Sequence, residues 1–206
     1  MPAVVAPPIL HILAGPNGAG KTTLYEAWIR RLTDAAFVNA DRLCLQALGH
    51  HALTREDAAL GQRLANERRE ALLAVGASLV TETTFSHPSK LDLITRAQAL
   101  GYRIVVYHVN VATADFAVAR VMAREGHGGH PVPEANVRGR YERNQPLIRQ
   151  AVLMADRAFV FDNSALGEPP RRLISFVNGH AKAVAPSLPD WAAMLYALDI
   201  EHADEP

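Results

Sequence analysis

In the run Gly15-Pro16-Asn17-Gly18-Ala19-Gly20-Lys21-Thr22-Thr23, the first eight residues fit the pattern G-x-x-x-x-G-K-T. Glycines at such spacing let backbone N–H groups converge on phosphate oxygens, because no Cβ stands in the way. A lysine at position 21 reaches the β- and γ-phosphates of a nucleotide as a point charge, and the Thr22 hydroxyl is placed as a ligand for Mg²⁺. The pattern therefore predicts a site for ATP with Mg²⁺. Lys21 is expected to be a solvent-facing charge, so that its removal would leave the empty protein's fold unchanged.

A phosphate loop alone does not define a reaction, and two acids add to it. Asp41 follows the apolar run Ala35 to Ala40, and Glu82 follows Ser78 to Thr81. Acids at strand ends fall where ligands sit in open α/β sheets. Asp41 suits a base that orients an acceptor hydroxyl and takes its proton; the plainer alternative is a cap on the next short helix. Glu82 stands where related sheets carry an acid that supports Mg²⁺ through water, or it holds substrate together with Thr83 and Thr84; the plainer alternative is a solvated strand end.

Arg124, Arg138 and Arg140 flank Gly128-Gly129-His130. Arginines aimed at a transferring phosphoryl group stabilise its spreading charge, and a glycine hinge would make this segment a lid. A solvated basic face paired with Glu134 and Glu142 is the competing reading. His127 and His130 lack the spacing of a metal site. Cys44, beside Leu45 and Leu48, reads as a small buried hydrophobe.

Elements must bring these groups together. Ile9 to Leu13 is a strand running into the phosphate loop, and Leu24, Ala27, Trp28 and Leu32 recur at helical spacing behind it. Thr54 with Asp57 forms a capping-box start for a helix closing near Gly76. A helix follows from His87-Pro88 through Leu100. Arg103 to Val109 is a fourth strand, and Thr113 caps a helix reaching Arg124. Glu125 to Pro133 reads as a loop. A helix from Glu134 contains Pro146, where a kink is expected. Ala158 to Phe161 is the fifth strand, closed by Asp162-Asn163-Ser164. The tail from Pro169 offers one or two strands and a helix over 188–198.

Alternating strands and helices imply an α/β fold, a mostly parallel sheet of about five strands flanked by helices. A single domain over 1–206 is expected, with its core at 9–164 and a small C-terminal extension at 165–206. The chain has 206 residues, of which 49% are hydrophobic. Its 21 basic and 21 acidic side chains balance, which argues against nucleic acid as a partner. The N-terminus lacks a signal-peptide pattern and no apolar run reaches about 20 residues, so no membrane association and a cytoplasmic location are expected. One cysteine excludes an internal disulfide.

The ordered set of the phosphate loop, Phe37-Val-Asn-Ala-Asp41, Glu82-Thr83-Thr84, Gly128-Gly129-His130-Pro-Val-Pro-Glu134 with Arg138 to Tyr141, and Asp162-Asn163-Ser164 resembles the zeta-toxin family of P-loop kinases, in particular its short chromosomal members. The resemblance implies ATP- and Mg²⁺-dependent phosphorylation of a hydroxyl of UDP-N-acetylglucosamine, and control by a small antitoxin protein. Carried over by motif, it gives Lys21 and Thr22 to ATP-Mg²⁺, Asp41 to the base, Glu82 and Thr84 to substrate contact, and Arg124 to the first phosphate-binding arginine. Arg138 and Arg140 both remain candidates for the second. Two rivals stand beside this reading: a P-loop kinase for another metabolite or antibiotic, and a nucleotide-dependent regulatory protein that transfers no phosphate.

Overall fold

The computed structural model describes residues 6–125 and 132–201, without the side chains of Arg124 and Glu125. Its centre is β1 (Ile9–Ala14), whose residues from Leu10 on are buried. A strand apolar on both faces needs partners on both edges and cover above and below. β3 (Leu79–Thr83) and β4 (Arg103–Asn110) supply the edges, both parallel to β1, with Leu10 opposite Leu79 on one side and Ile104 on the other. β2 (Ala36–Val38) and β5 (Arg157–Asp162) extend the parallel order outward. β6 (Arg171–Val177) and β7 (His180–Val184) then add antiparallel, giving seven strands in the order β2-β3-β1-β4-β5-β6-β7. The sheet is thus larger than the five strands expected. The tail is part of it: Asn178 and Gly179, both at positive φ, close a two-residue hairpin.

Helices cover the sheet unequally. α3 (Arg55–Ala74), α4 (Ser89–Ala99), α6 (Glu134–Met154) and the short α7 (Asp190–Leu195) bury the larger apolar cluster against Leu10, Ile12 and Ile104. α1 (Lys21–Ala27) and a 3₁₀ turn at Ile29–Arg31 cover the other face, around Leu13, Val80 and Tyr107. α5 (Ala114–Glu125) packs on the start of α6. The expected tail helix over 188–198 is instead α7 and α8 (Ala197–Ile200), divided at Tyr196. Pro146 lies inside α6, which runs on to Met154.

One boundary matters for the site. β2 stops at Val38, short of the expected Ala40, because Asn39 turns to cap α2 (Ala40–Leu48), its side chain accepting a hydrogen bond from Arg42 N. α2 lies against α3, which starts at the expected capping box of Thr54 and Asp57. Contact is close at Gly61, where an added Cβ would stand 2.6 Å from the Ala40 carbonyl oxygen. Cys44 is buried there and its thiol donates to Asp57 O.

Two glycines in helices therefore predict opposite outcomes. Replacing glycine by alanine in a helix stabilises by about 0.5–1 kcal/mol when the methyl group has room. Gly139, with open space around it, should gain that amount in Gly139→Ala by urea denaturation. Gly61→Ala should lose stability, since overpacking typically costs about 1–3 kcal/mol; a stabilised Gly61→Ala would contradict the α2–α3 contact.

Two buried histidines set a pH response. Burial pushes His11 down to about 4 and His108 to about 3, from an ordinary 6.5. Each stays neutral when folded but binds a proton near 6.5 when unfolded, so stability is full above that value and falls as pH drops toward the folded values. Each unit is worth about 1.4 kcal/mol per group. Unfolding free energy should fall by about 2–4 kcal/mol between pH 7 and pH 5; a flat profile in urea titrations would contradict neutral burial.

Candidate active site

The carboxyl ends of β1, β2 and β3 open into a cavity of about 1320 Å³. The 15–23 loop forms its floor. Gly18 and Gly20 adopt φ of 77° and 87°, and a Cβ on either would approach Ala117 O to 2.4 Å or Asn163 Nδ2 to 2.1 Å. Only glycine fits both conformation and space. Gly15 passes under the loop, where its Cβ would overlap Val109 O. Asn163, after β5, donates from Nδ2 to Ala19 O at 2.9 Å and clamps the loop's back. Asn17, Gly18, Gly20, Lys21, Thr22 and Thr23 face the cavity, whereas Pro16 and Ala19 act through their backbones.

Lys21 departs from the expectation of a solvent-facing charge. It is 6% exposed, donates to Pro16 O at 2.9 Å and lies 3.8 Å from Glu82. Glu82 accepts from Thr22 Oγ1 at 2.8 Å and from Asn39 Nδ2 at 2.9 Å, both on the same oxygen. It is therefore no solvated strand end. Asn39 is a site residue that the sequence alone does not single out: within the Phe37 to Asp41 motif it reads as the end of a strand. Asp41 lies in the first turn of α2 on the cavity wall, and because Asn39 is the cap, the capping alternative for Asp41 is removed.

Glu82, Thr83 and Thr84 all line the cavity. The Thr83 hydroxyl accepts from Phe85 N, and Phe85 takes a φ of 58° with its ring buried. Such a conformation in a bulky residue is costly and typical of functional turns. Asn144 donates to Thr84 O, tying this turn to α6.

The structure separates the arginines. Arg140 lines the cavity and donates to Asn17 Oδ1 at 3.1 Å. Burial and neighbouring Arg143 push its guanidinium below the ordinary value. Arg138 does not line the cavity; it pairs with Glu134 and Asp115 on the α5–α6 surface, as the solvated-face reading expected. The side chain of Arg124 and residues 126–131, with His127 and the Gly128-Gly129-His130 hinge, lie outside the described residues. Arg120, one turn before Arg124, lines the cavity and was missed; helical spacing from Arg124 was the available signal.

The groups present suit a phosphate chain carrying a hard cation. The loop is a cradle that any Cβ would fill, and Thr22 and Glu82 offer oxygen. The Thr22 proton points to Glu82, which leaves its lone pairs open. Among the described residues no three His, Cys, Asp or Glu side chains are grouped so as to hold a metal.

This is a P-loop kinase-like α/β fold. A family model described as "AAA domain" (AAA_33) matches residues 10–147, and the chain belongs to that family. A chain of the AvrRxo1-ORF1:-ORF2 complex with ATP superposes with a TM-score of 0.68 at 18% identity, over 94% of this chain and 64% of that one. This chain therefore spans less than two-thirds of that relative's length. A chain of the PezAT chromosomal toxin–antitoxin system of Streptococcus pneumoniae gives 0.62 at 12% identity, over 98% and 88%. Shikimate kinase from Bacteroides thetaiotaomicron gives 0.50 at 17% identity, over 78% and 89%. At these identities the likeness is one of fold. No curated protein sequence matches the chain. No described helix is long and apolar enough to cross a membrane.

The Lys21–Glu82 contact generates a measurable coupling. Lys21→Ala leaves a mostly buried carboxylate without its cation and should destabilise the empty protein by about 1–3 kcal/mol. Lys21→Ala combined with Glu82→Gln should recover part of that loss, with a coupling of about 0.5–3 kcal/mol in a double-mutant cycle. Strictly additive effects would show that the two side chains do not interact.

Proposed function

We propose that this protein is an ATP- and Mg²⁺-dependent phosphotransferase that moves the γ-phosphate onto an alcohol of a small molecule, working as one P-loop kinase-like domain. The observation that carries the reading is one cavity holding the phosphate loop, the Thr22–Glu82–Asn39 network and a carboxylate, Asp41, not consumed as a helix cap. A pure nucleotide binder has no need of that last group.

In this reading the loop amides and Lys21 hold the β- and γ-phosphates. Thr22 turns its lone pairs to the cation while Glu82 fixes its proton. Held by the Thr22 hydroxyl and the phosphates, Mg²⁺ would supply charge withdrawal from the phosphate oxygens. Asp41 accepts the proton of the acceptor hydroxyl as the new O–P bond forms, and ADP leaves with the electrons of the broken bond. Arg140, anchored on Asn17, faces the charge that spreads over the equatorial oxygens; Arg124 is its proposed companion. Arg138 is better suited to holding α5 and α6 together.

The finer assignment is UDP-N-acetylglucosamine or a similar nucleotide sugar as acceptor, with a small antitoxin protein as partner. It rests on the sequence resemblance to zeta toxins, and the fold likeness to a chain of the PezAT toxin–antitoxin system is in keeping with it.

Asp41→Asn tests the mechanism. General-base groups contribute about 10²–10⁴-fold, so kcat should fall in that range with ATP affinity little changed, once mass spectrometry has identified the phosphorylated acceptor. If Asp41 serves only the helix dipole, the variant should lose about 0.3–1 kcal/mol of stability and no rate. Parent-like turnover would eliminate Asp41 as the base. Phosphate gained by another metabolite and not by UDP-N-acetylglucosamine would overturn the nucleotide sugar alone.

A further inference from the structure

Successive residues of a strand point to opposite faces, and β3 uses this at the cavity mouth. Glu82 turns to α1 and the phosphate loop. Thr81 turns the other way, and its Oγ1 accepts from Arg69 Nη1 at 3.2 Å. Arg69 stands on α3, is 6% exposed, and has Asn66 as its second partner. Lys90, half-buried in the first turn of α4, lines the same cavity.

Both partners of Arg69 are neutral. Among the described residues no carboxylate lies within ion-pair distance of Arg69 or of Lys90. Glu70, next in sequence to Arg69, acts on it only through its field, its carboxylate being engaged by Arg96. Burial lowers both cations from their ordinary values, and the field of Arg69 lowers Lys90 further. Desolvated charges are normally paired, because an isolated one is expensive. Two like charges on one cavity wall, with no carboxylate in contact and only the field of Glu70 acting on Arg69, mark a place where the ligand brings the anion. The phosphate loop already has its own cation in Lys21, on the other face of β3.

We propose that Arg69 and Lys90 form an anion subsite for the acceptor, so that the molecule phosphorylated carries a phosphate or carboxylate besides the hydroxyl it offers. This rests on the phosphotransferase reading. The subsite makes the acceptor's charge a requirement and excludes neutral sugars and alcohols. Arg69, held by Thr81 and Asn66, is the fixed half, and Lys90 is the adjustable half on a flexible stem.

The test separates the subsite from the phosphate loop. Protein saturated with Mg²⁺ and the non-hydrolysable analogue AMP-PNP is titrated with inorganic phosphate by calorimetry. The parent should bind one phosphate, and Lys90→Gln and Arg69→Gln should each weaken it by about tenfold or more, since hydrogen bonds to charged groups are the strong ones. AMP-PNP affinity should stay within about twofold. Lys90→Glu covers the case in which Arg69→Gln folds poorly. It supplies the missing carboxylate beside Arg69, so the melting temperature should rise while phosphate binding disappears. Unchanged phosphate affinity in Lys90→Gln and Lys90→Glu, or a lowered melting temperature for Lys90→Glu, would overturn the subsite. Failure of AMP-PNP to bind would instead sink the kinase reading; phosphate would then occupy two places, of which only the Arg69–Lys90 one answers to these substitutions.

Discussion

Glu82 is the point at which three elements of the site become mutually dependent. One of its oxygens accepts from Thr22 on α1 and from Asn39 at the start of α2, while the other lies near the Lys21 ammonium. A mostly buried carboxylate with such donors is stable only while all of them hold their positions. The phosphate loop, the second strand's end and the third strand's end are therefore fixed relative to one another before any ligand arrives. Preorganisation of this kind lowers the reorganisation needed when charge develops in a reaction.

The rest of the architecture follows from keeping that carboxylate in place. It must stand at the end of a strand adjacent to β1, which the parallel pairing of Leu13 with Glu82 achieves. The loop above β1 must pass close to neighbouring backbone, which explains glycines where a Cβ would overlap Val109, Ala117 or Asn163. Asn163 fastens the far side of the loop from β5, while Asp162 beside it accepts from Ser164 and from Trp191 on α7. In that way the C-terminal segment bears on the phosphate loop, although it follows all of the loop's direct ligands in sequence.

What could be read from the chain divides along the range of the interactions involved. Local signals were sufficient for the 15–23 loop, for the α3 capping box at Thr54 and Asp57, and for the parallel sheet. The Asn178-Gly179 pair was an equally local hairpin signal for β6 and β7, although the tail was read only as one or two strands. The exposure of Lys21 was misread because a lysine in a glycine-rich loop carries no local sign of the glutamate 61 positions later that faces it. Arg138 and Arg140 could not be told apart for a related reason. They are two residues apart on a helix and so point to different sides, and only the position of α5 decides which side is the cavity. Asn39 and Asp41 show the subtler case: both types cap helices well, and it is Asn39 that accepts from Arg42 N and begins α2 at Ala40.

β3 thus does more than carry one acid. Its alternation sends Glu82 to the loop side and Thr81 with Thr83 to the α3–α4 side, and the two sides carry separate cations, Lys21 on one and Arg69 with Lys90 on the other. Within the one cavity the end of β3 thus separates Lys21 from Arg69 and Lys90. Asp41 lines that same cavity from the first turn of α2. The buried, positive-φ Phe85 closes β3 immediately beyond. Backbone strain of that kind persists only where the surroundings over-determine it, and here the Thr83 hydroxyl and Asn144 do so by fixing the turn from both sides. The turn's position is therefore tied to the third strand and to α6 together, so that α6, which also carries Arg140, and the wall holding Lys90 share one rigid link.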